Sequence, residues 1–151
     1  MTILLILLGF AAGASEAVRL RMRTQELTVF SDALAALKSA AAYTSGDLRT
    51  LLDLCTENLF LRSVMRDKDP MQAWKAAAAD FFTNTADKIL ACEFINGYGR
   101  ADLNGLLAYI TLFEERTAVQ LHRAEKAVET KSKLYTVLGL FSGVVTALLL
   151  V

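Results

Sequence analysis

The distribution of charge along the 151-residue chain is the feature that most limits what it can fold into. All 32 charged side chains fall between Glu16 and Lys133, as 16 Lys and Arg against 16 Asp and Glu. The chain therefore has a polar middle between two apolar ends. Its hydrophobic fraction of 54% is high for a soluble domain, so we expect part of the excess to face lipid. Because the net charge is zero, a general nucleic-acid binder is disfavoured.

The C-terminal apolar run, Leu134 to Val151, has the length of a membrane-spanning helix. Its 18 uncharged residues would reach about 27 Å, close to the thickness of the hydrocarbon core of a bilayer. Lys131 and Lys133 precede the run, and their long side chains can place ammonium groups at the membrane surface. We predict a transmembrane helix here, and a buried core helix is the alternative.

The N-terminal apolar run, Thr2 to Ser15, is 14 residues long, which suits either a short span or the apolar part of a signal peptide. No basic residue precedes the run, although small residues near its end could form a cleavage site. Arg19, Arg21 and Arg23 follow it, and basic residues on that side are retained in the cytoplasm. An uncleaved anchor with a cytoplasmic middle is therefore favoured over a signal peptide.

Each apolar run also carries two glycines spaced four residues apart, Gly9 with Gly13 and Gly139 with Gly143. This spacing lets helix backbones approach closely in lipid, so we predict that the two spans pack together; the alternative is that the glycines are merely tolerated. The predicted organisation is an anchor over residues 2–18, a cytoplasmic helical bundle over 19–133 and a transmembrane helix over 134–151.

The middle of the chain shows apolar residues at spacings of three and four, which is typical of amphipathic helices. The pattern and the scarcity of Pro and Gly predict an all-α fold with one core, in which Trp74 and Phe81 are buried. No breaker separates the first or last amphipathic stretch from its apolar run, so both predicted helices continue into the ends. Helix starts are predicted at Ser45 or Asp47, at Pro70, within Thr83 to Asp87 and after Asp102, with stops before Asp67 and at Asn96 to Gly99.

Groups able to carry out catalysis are few and scattered. His122 is the single histidine, and Cys55 and Cys92 lie far apart on apolar helical stripes, which fits a reducing compartment and buried thiols. Neighbouring carboxylates such as Glu114 and Glu115 diverge around a helix axis, and the sequence has no phosphate-binding glycine motif. We therefore predict no catalytic, cofactor-binding or metal-binding residues.

A candidate interaction surface is formed by basic residues on or after the second predicted helix. Arg49, Arg62 and Arg66 could contact an acidic partner. The alternative is a solvated face of mixed charge, because Asp53 and Glu57 lie among them.

Several segments together resemble a known family. They are Trp74 in its AWKAA stretch, the GYGRAD segment from Gly97 to Asp102, the uninterrupted last helix, and the KLYTVLG terminus from Lys133 with Gly143. In these features the chain resembles the stage III sporulation protein AB family of endospore-forming bacteria. The resemblance covers nearly the whole chain.

The resemblance implies a membrane component of the mother-cell complex that helps connect the mother cell to the forespore. The cytoplasmic part of the family is similar to the helical domain of the type II secretion F platform protein, which couples a cytoplasmic ATPase to a membrane apparatus. The implied partners are a secretion-type ATPase (stage III sporulation protein AA), other membrane proteins of the complex and the lipid bilayer. An unrelated membrane-anchored helical adaptor, in signalling or division, is the alternative, and an enzyme is disfavoured.

Overall fold

The computed structural model describes residues 2–44, 47–65, 69–99 and 102–149. Within these ranges, side-chain environments are described for residues 17–131 and, outside that span, for residues 15, 134 and 138. All regular elements in these ranges are α-helices, so the all-α prediction is confirmed. They are α1 (Thr2–Tyr43), α2 (Leu48–Leu54), α3 (Leu59–Val64), α4 (Pro70–Phe81), α5 (Thr85–Gly97) and α6 (Leu103–Leu149).

The chain divides into two compact units. We call Met1–Thr24 with His122–Val151 the terminal unit, and Gln25–Leu121 the bundle unit. α1 and α6 are each continuous over residues of both units, which confirms the prediction that the first and last helices extend into the apolar ends. The predicted segments over 2–18, 19–133 and 134–151 remain predictions.

Local capping fixes the starts of the later helices as the sequence predicts. Asp69 accepts a hydrogen bond from the backbone N–H of Met71 at the start of α4, where Pro70 occupies the first turn. Asn84 accepts from Ala86 N at the start of α5, and Asp102 accepts from Gly105 N at the start of α6. These side chains satisfy N–H groups that have no partner within the helix.

The predicted second helix is instead two short helices, α2 and α3. Asn58 separates them: its Oδ1 accepts from the N–H groups of Phe60 and Leu61, at 2.9 and 3.2 Å. Its Nδ2 donates to the carbonyl oxygen of Val29 on α1 at 2.9 Å. One side chain thus caps α3 and joins it to α1, and Leu59 at the start of α3 is exposed.

The core of the bundle unit is a cluster of aromatic rings around Trp74. Trp74 is fully buried, and its indole N–H donates to the carbonyl oxygen of Ala91 at 2.9 Å. Ring edges of Phe60 and Phe82 extend the cluster. The prediction for Trp74 is confirmed, whereas Phe81 is only half-buried, although its ring contacts Phe60. Phe82 is buried instead, because α4 ends at Phe81 and the extended backbone of Phe82 directs its ring into the core.

Candidate interaction surfaces

The groups able to carry out chemistry lie on or beside different helices. His122 is exposed on α6, and Cys92 is half-buried on α5. Cys55 is buried, and burial raises the pKa of its thiol, which keeps it in the poorly nucleophilic protonated form. Among the residues that the structure describes, no group of three or more His, Cys, Asp and Glu is placed to hold a metal ion.

The basic candidates lie on two successive helices. Arg49 is exposed in the first turn of α2, and Arg62 is exposed in the last turn of α3. Arg66 lies outside the described residues. The structure thus places two of the three predicted arginines on either side of the connection between α2 and α3.

Exposed apolar side chains occupy the same stretch. Leu54 at the end of α2 and Leu59 at the start of α3 are 63% and 60% exposed. Asp53 and Glu57 are also exposed there, so the charge is mixed, as the alternative interpretation expected. We call this surface the α2–α3 corner; its residues are Arg49, Asp53, Leu54, Glu57, Leu59 and Arg62.

The start of α2 beside this corner is held by Asp47. Its Oδ1 accepts from the backbone N–H of Thr50 at 3.0 Å and from the Thr50 hydroxyl at 2.7 Å. These hydrogen bonds, with a smaller contribution from the Arg49 charge, lower the pKa of the Asp47 carboxyl. Asp47 therefore remains ionised as a helix cap, and Arg49 follows it in the ordered first turn.

Two glycines at the end of α5, Gly97 and Gly99, have different structural roles. Gly97 lies against the ring of Tyr109 on α6, so a Cβ at this position would stand 2.7 Å from Tyr109 Cζ. Tyr109 Oη donates to the carbonyl oxygens of Glu93 and Phe94, at 3.1 and 2.9 Å, near the end of α5. Gly99 has φ +80°, a conformation that favours glycine, and it turns the chain toward α6.

Tyr98 lies between these two glycines, and its hydroxyl is buried. Among the described groups the hydroxyl has no hydrogen-bond partner. Burial, followed by the nearby Asp47 and Cys55, raises the pKa of Tyr98 to about 12. Three consecutive residues therefore supply a close approach to Tyr109, a buried hydroxyl and a left-handed backbone conformation.

Two ion pairs join α6 to other helices of the bundle unit. Lys38 Nζ lies 2.7 Å from Glu114 Oε2, and Arg116 Nη2 lies 2.6 Å from Glu93 Oε2. The Arg116 guanidinium also sits 4.8 Å from the centre of the Phe113 ring. These pairs could not be predicted from the sequence, because the spacing of distant charges does not indicate which helix faces meet.

The predicted membrane flank lies in the terminal unit. Arg19 and Arg21 are exposed, whereas Arg23 and Lys131 are half-buried. The side chain of Lys133 lies outside the described part. The surroundings of the four glycines predicted to pack in the membrane also lie outside it: Gly9, Gly13, Gly139 and Gly143.

Within the described residues, no helix has a stretch both long enough and apolar enough to span a membrane.

The structure is that of a small all-α protein, and its exposed apolar and basic side chains are candidates for binding a partner. The sequence model of the family described as stage III sporulation protein AB matches residues 1–151, so the chain belongs to that family. The resemblance drawn from the sequence is thereby confirmed, and membership implies a role in stage III of sporulation. The family is not a known family of enzymes. Neither a curated protein nor a solved structure matches the chain.

Proposed function

We propose that the protein is a non-enzymatic membrane platform of the complex between mother cell and forespore, which docks a cytoplasmic secretion-type ATPase and transmits its conformational changes. The observation that carries the proposal is the family match over residues 1–151. The proposal that the protein transmits conformational changes rests on the resemblance of the family to the type II secretion F platform protein. The protein provides the docking surface, and the ATPase provides the hydrolysis.

Membrane attachment is part of this proposal. The uncharged runs at residues 2–15 and 134–151 are the proposed spans. The basic residues that follow the first and precede the second support a cytoplasmic middle. Glycines in both runs would let the spans pack side by side. The protein then resides in the mother-cell membrane that faces the forespore.

The proposed docking site is the α2–α3 corner. Leu54 and Leu59 offer apolar contact, and Arg49 and Arg62 flank them with positive charge. Apolar anchors beside charged groups are the usual composition of a protein interface, in which the apolar contact supplies affinity and the charges supply steering. An ATPase surface with exposed apolar groups and acidic residues would fit.

Binding of the purified full chain to the ATPase, stage III sporulation protein AA, tests the proposal by calorimetry. We expect a complex whose affinity falls as salt is raised. The corner variant Arg62→Glu with Leu59→Ala should weaken binding about 10-fold or more. The matched control, Lys88→Glu with Ile89→Ala, changes the same kinds of side chain on α5, where Ile89 is also exposed, and should bind normally.

Equal loss in both variants would remove the corner as the docking site. Absence of binding by the unmodified chain, with both proteins folded, would overturn the coupling mechanism and leave a membrane-anchored adaptor.

A further inference from the structure

The zero net charge of the chain conceals a separation of charge between its two units. The terminal unit contains seven Lys and Arg against three Asp and Glu, so its net charge is +4. The bundle unit contains nine against thirteen, so its net charge is −4. An anionic ligand is therefore attracted to the terminal unit and repelled by the bundle unit.

The exposed face of α1 in the terminal unit combines apolar and basic side chains. Val18 and Met22, one helical turn apart, are 55% and 46% exposed. Arg21 is also exposed, and its side chain is a neighbour of Val18, because residues three apart on a helix lie on the same face. Arg19 is also exposed beside them.

The exposed side chains of α6 in the same unit change from polar to apolar along the helix. His122, Lys126, Thr130, Leu134 and Leu138 follow one another at steps of four residues, and all are exposed. The first three are polar and the last two are apolar. A helix surface that passes from polar to apolar within a few turns matches the change from headgroups to acyl chains at the surface of a bilayer.

We propose that the terminal unit binds anionic phospholipid headgroups through three exposed cations, which we call the basic band: Arg21 on α1, and Arg123 and Lys126 on α6. This inference rests on the proposed membrane location and adds the lipid class. Exposed cations suit headgroup phosphates, and Val18 and Leu134, which are exposed on the same two helices, suit the acyl chains. A soluble acidic protein would satisfy the charge alone, so the apolar side chains beside the band favour lipid.

Flotation of the purified full chain with vesicles tests the inference. One set of vesicles is phosphatidylcholine alone, and in the other every third lipid is phosphatidylglycerol. We expect partitioning about 10-fold stronger into the anionic vesicles, with the difference reduced at high salt. A second measurement counts the lipids that stay bound after detergent extraction from an equal mixture, in which phosphatidylglycerol should be enriched.

The band variant carries Arg21→Gln, Arg123→Gln and Lys126→Gln. Its matched control carries Lys68→Gln, Lys75→Gln and Lys88→Gln, which remove the same charge from the bundle unit. We expect the band variant to lose the preference for anionic lipid and the control to retain it. Helical circular dichroism of both variants establishes that they are folded.

Two outcomes separate this inference from the proposed function. If the chain floats equally with both vesicles and retains both lipids equally, the lipid preference is wrong and the membrane anchor stands. If it floats only with anionic vesicles and the band variant does not float, the basic band is supported and the spanning anchor fails. An unchanged preference in the band variant would overturn the band.

Discussion

Single residues decide how the end of α5 meets α6, and Gly97 is the clearest case. We expect Gly97→Ala to destabilise the protein by about 1–3 kcal/mol, because the added methyl group would overlap the ring of Tyr109, which must move away from its two carbonyl partners. Urea unfolding followed by Trp74 fluorescence measures the loss. Asn96→Ala, an exposed change one residue earlier, is the control and should be nearly neutral; equal stability of Gly97→Ala would contradict the close approach.

The buried phenol of Tyr98 makes stability depend on pH at the alkaline end. Its folded pKa of about 12 lies above the ordinary value of 10, so the unfolded chain ionises first. The contribution of Tyr98 is complete below about pH 10 and is lost as pH rises toward 12. We expect one tyrosine to titrate late by phenolate absorbance, and that late step to vanish in Tyr98→Phe.

The same Tyr98→Phe variant should be at least as stable as the unmodified protein near neutral pH, because the hydroxyl it removes has no partner among the described groups. Urea unfolding at pH 7 and pH 11 gives the comparison. A steeper alkaline loss of stability in the variant than in the unmodified protein would show that another group is responsible.

At the scale of elements, Asn58 determines that α2 and α3 are two helices. Asn58→Ala should cost about 1–2 kcal/mol, because it removes both the cap of α3 and the bond to Val29. Asn58→Asp keeps the cap but loses the donor, so it should cost less than Asn58→Ala. Thr56→Ala, exposed in the same connection, serves as the control in thermal unfolding followed by circular dichroism. Equal losses in Asn58→Asp and Asn58→Ala would assign the whole effect to the bond with α1.

The end of α4 determines which phenylalanine enters the core. Truncation of Trp74 or Phe82 to Ala should cost about 3–5 kcal/mol, since both are buried among aromatic rings. Phe81→Ala should cost less, because its ring is half-buried. Chemical unfolding followed by circular dichroism ranks the three, and a loss for Phe81→Ala that equals that for Phe82→Ala would mean that α4 ends elsewhere in solution.

At the scale of the whole molecule, the proposed topology places the bundle unit in the cytoplasm. Alkaline phosphatase fused after Gly97 is therefore expected to be inactive, since the enzyme requires export, and a fluorescent protein at the same position should be bright. Neutral replacements of Arg19, Arg21 and Arg23 should raise phosphatase activity, because they weaken retention. High phosphatase activity in the unmodified protein would contradict the topology.

The sequence by itself determined the helices whose ends depend on neighbouring residues. Capping acts over three residues and helical periodicity over one turn, so the helix starts predicted at Pro70 and after Asp102 and the stop predicted at Asn96 to Gly99 are confirmed. The same local patterns predicted the continuous α1 and α6 and the burial of Trp74.

Only the tertiary structure decided which helix faces meet. The local pattern of the second amphipathic stretch predicts one helix. In the structure it is two helices, because Asn58 between them donates a hydrogen bond to the carbonyl oxygen of Val29 on α1, 29 residues earlier in the chain. The contact between Gly97 and Tyr109 and the pairing of Arg116 with Glu93 likewise join residues of different helices. Such contacts depend on the packing of the whole bundle unit, because side chains far apart in sequence become neighbours only when their helices dock.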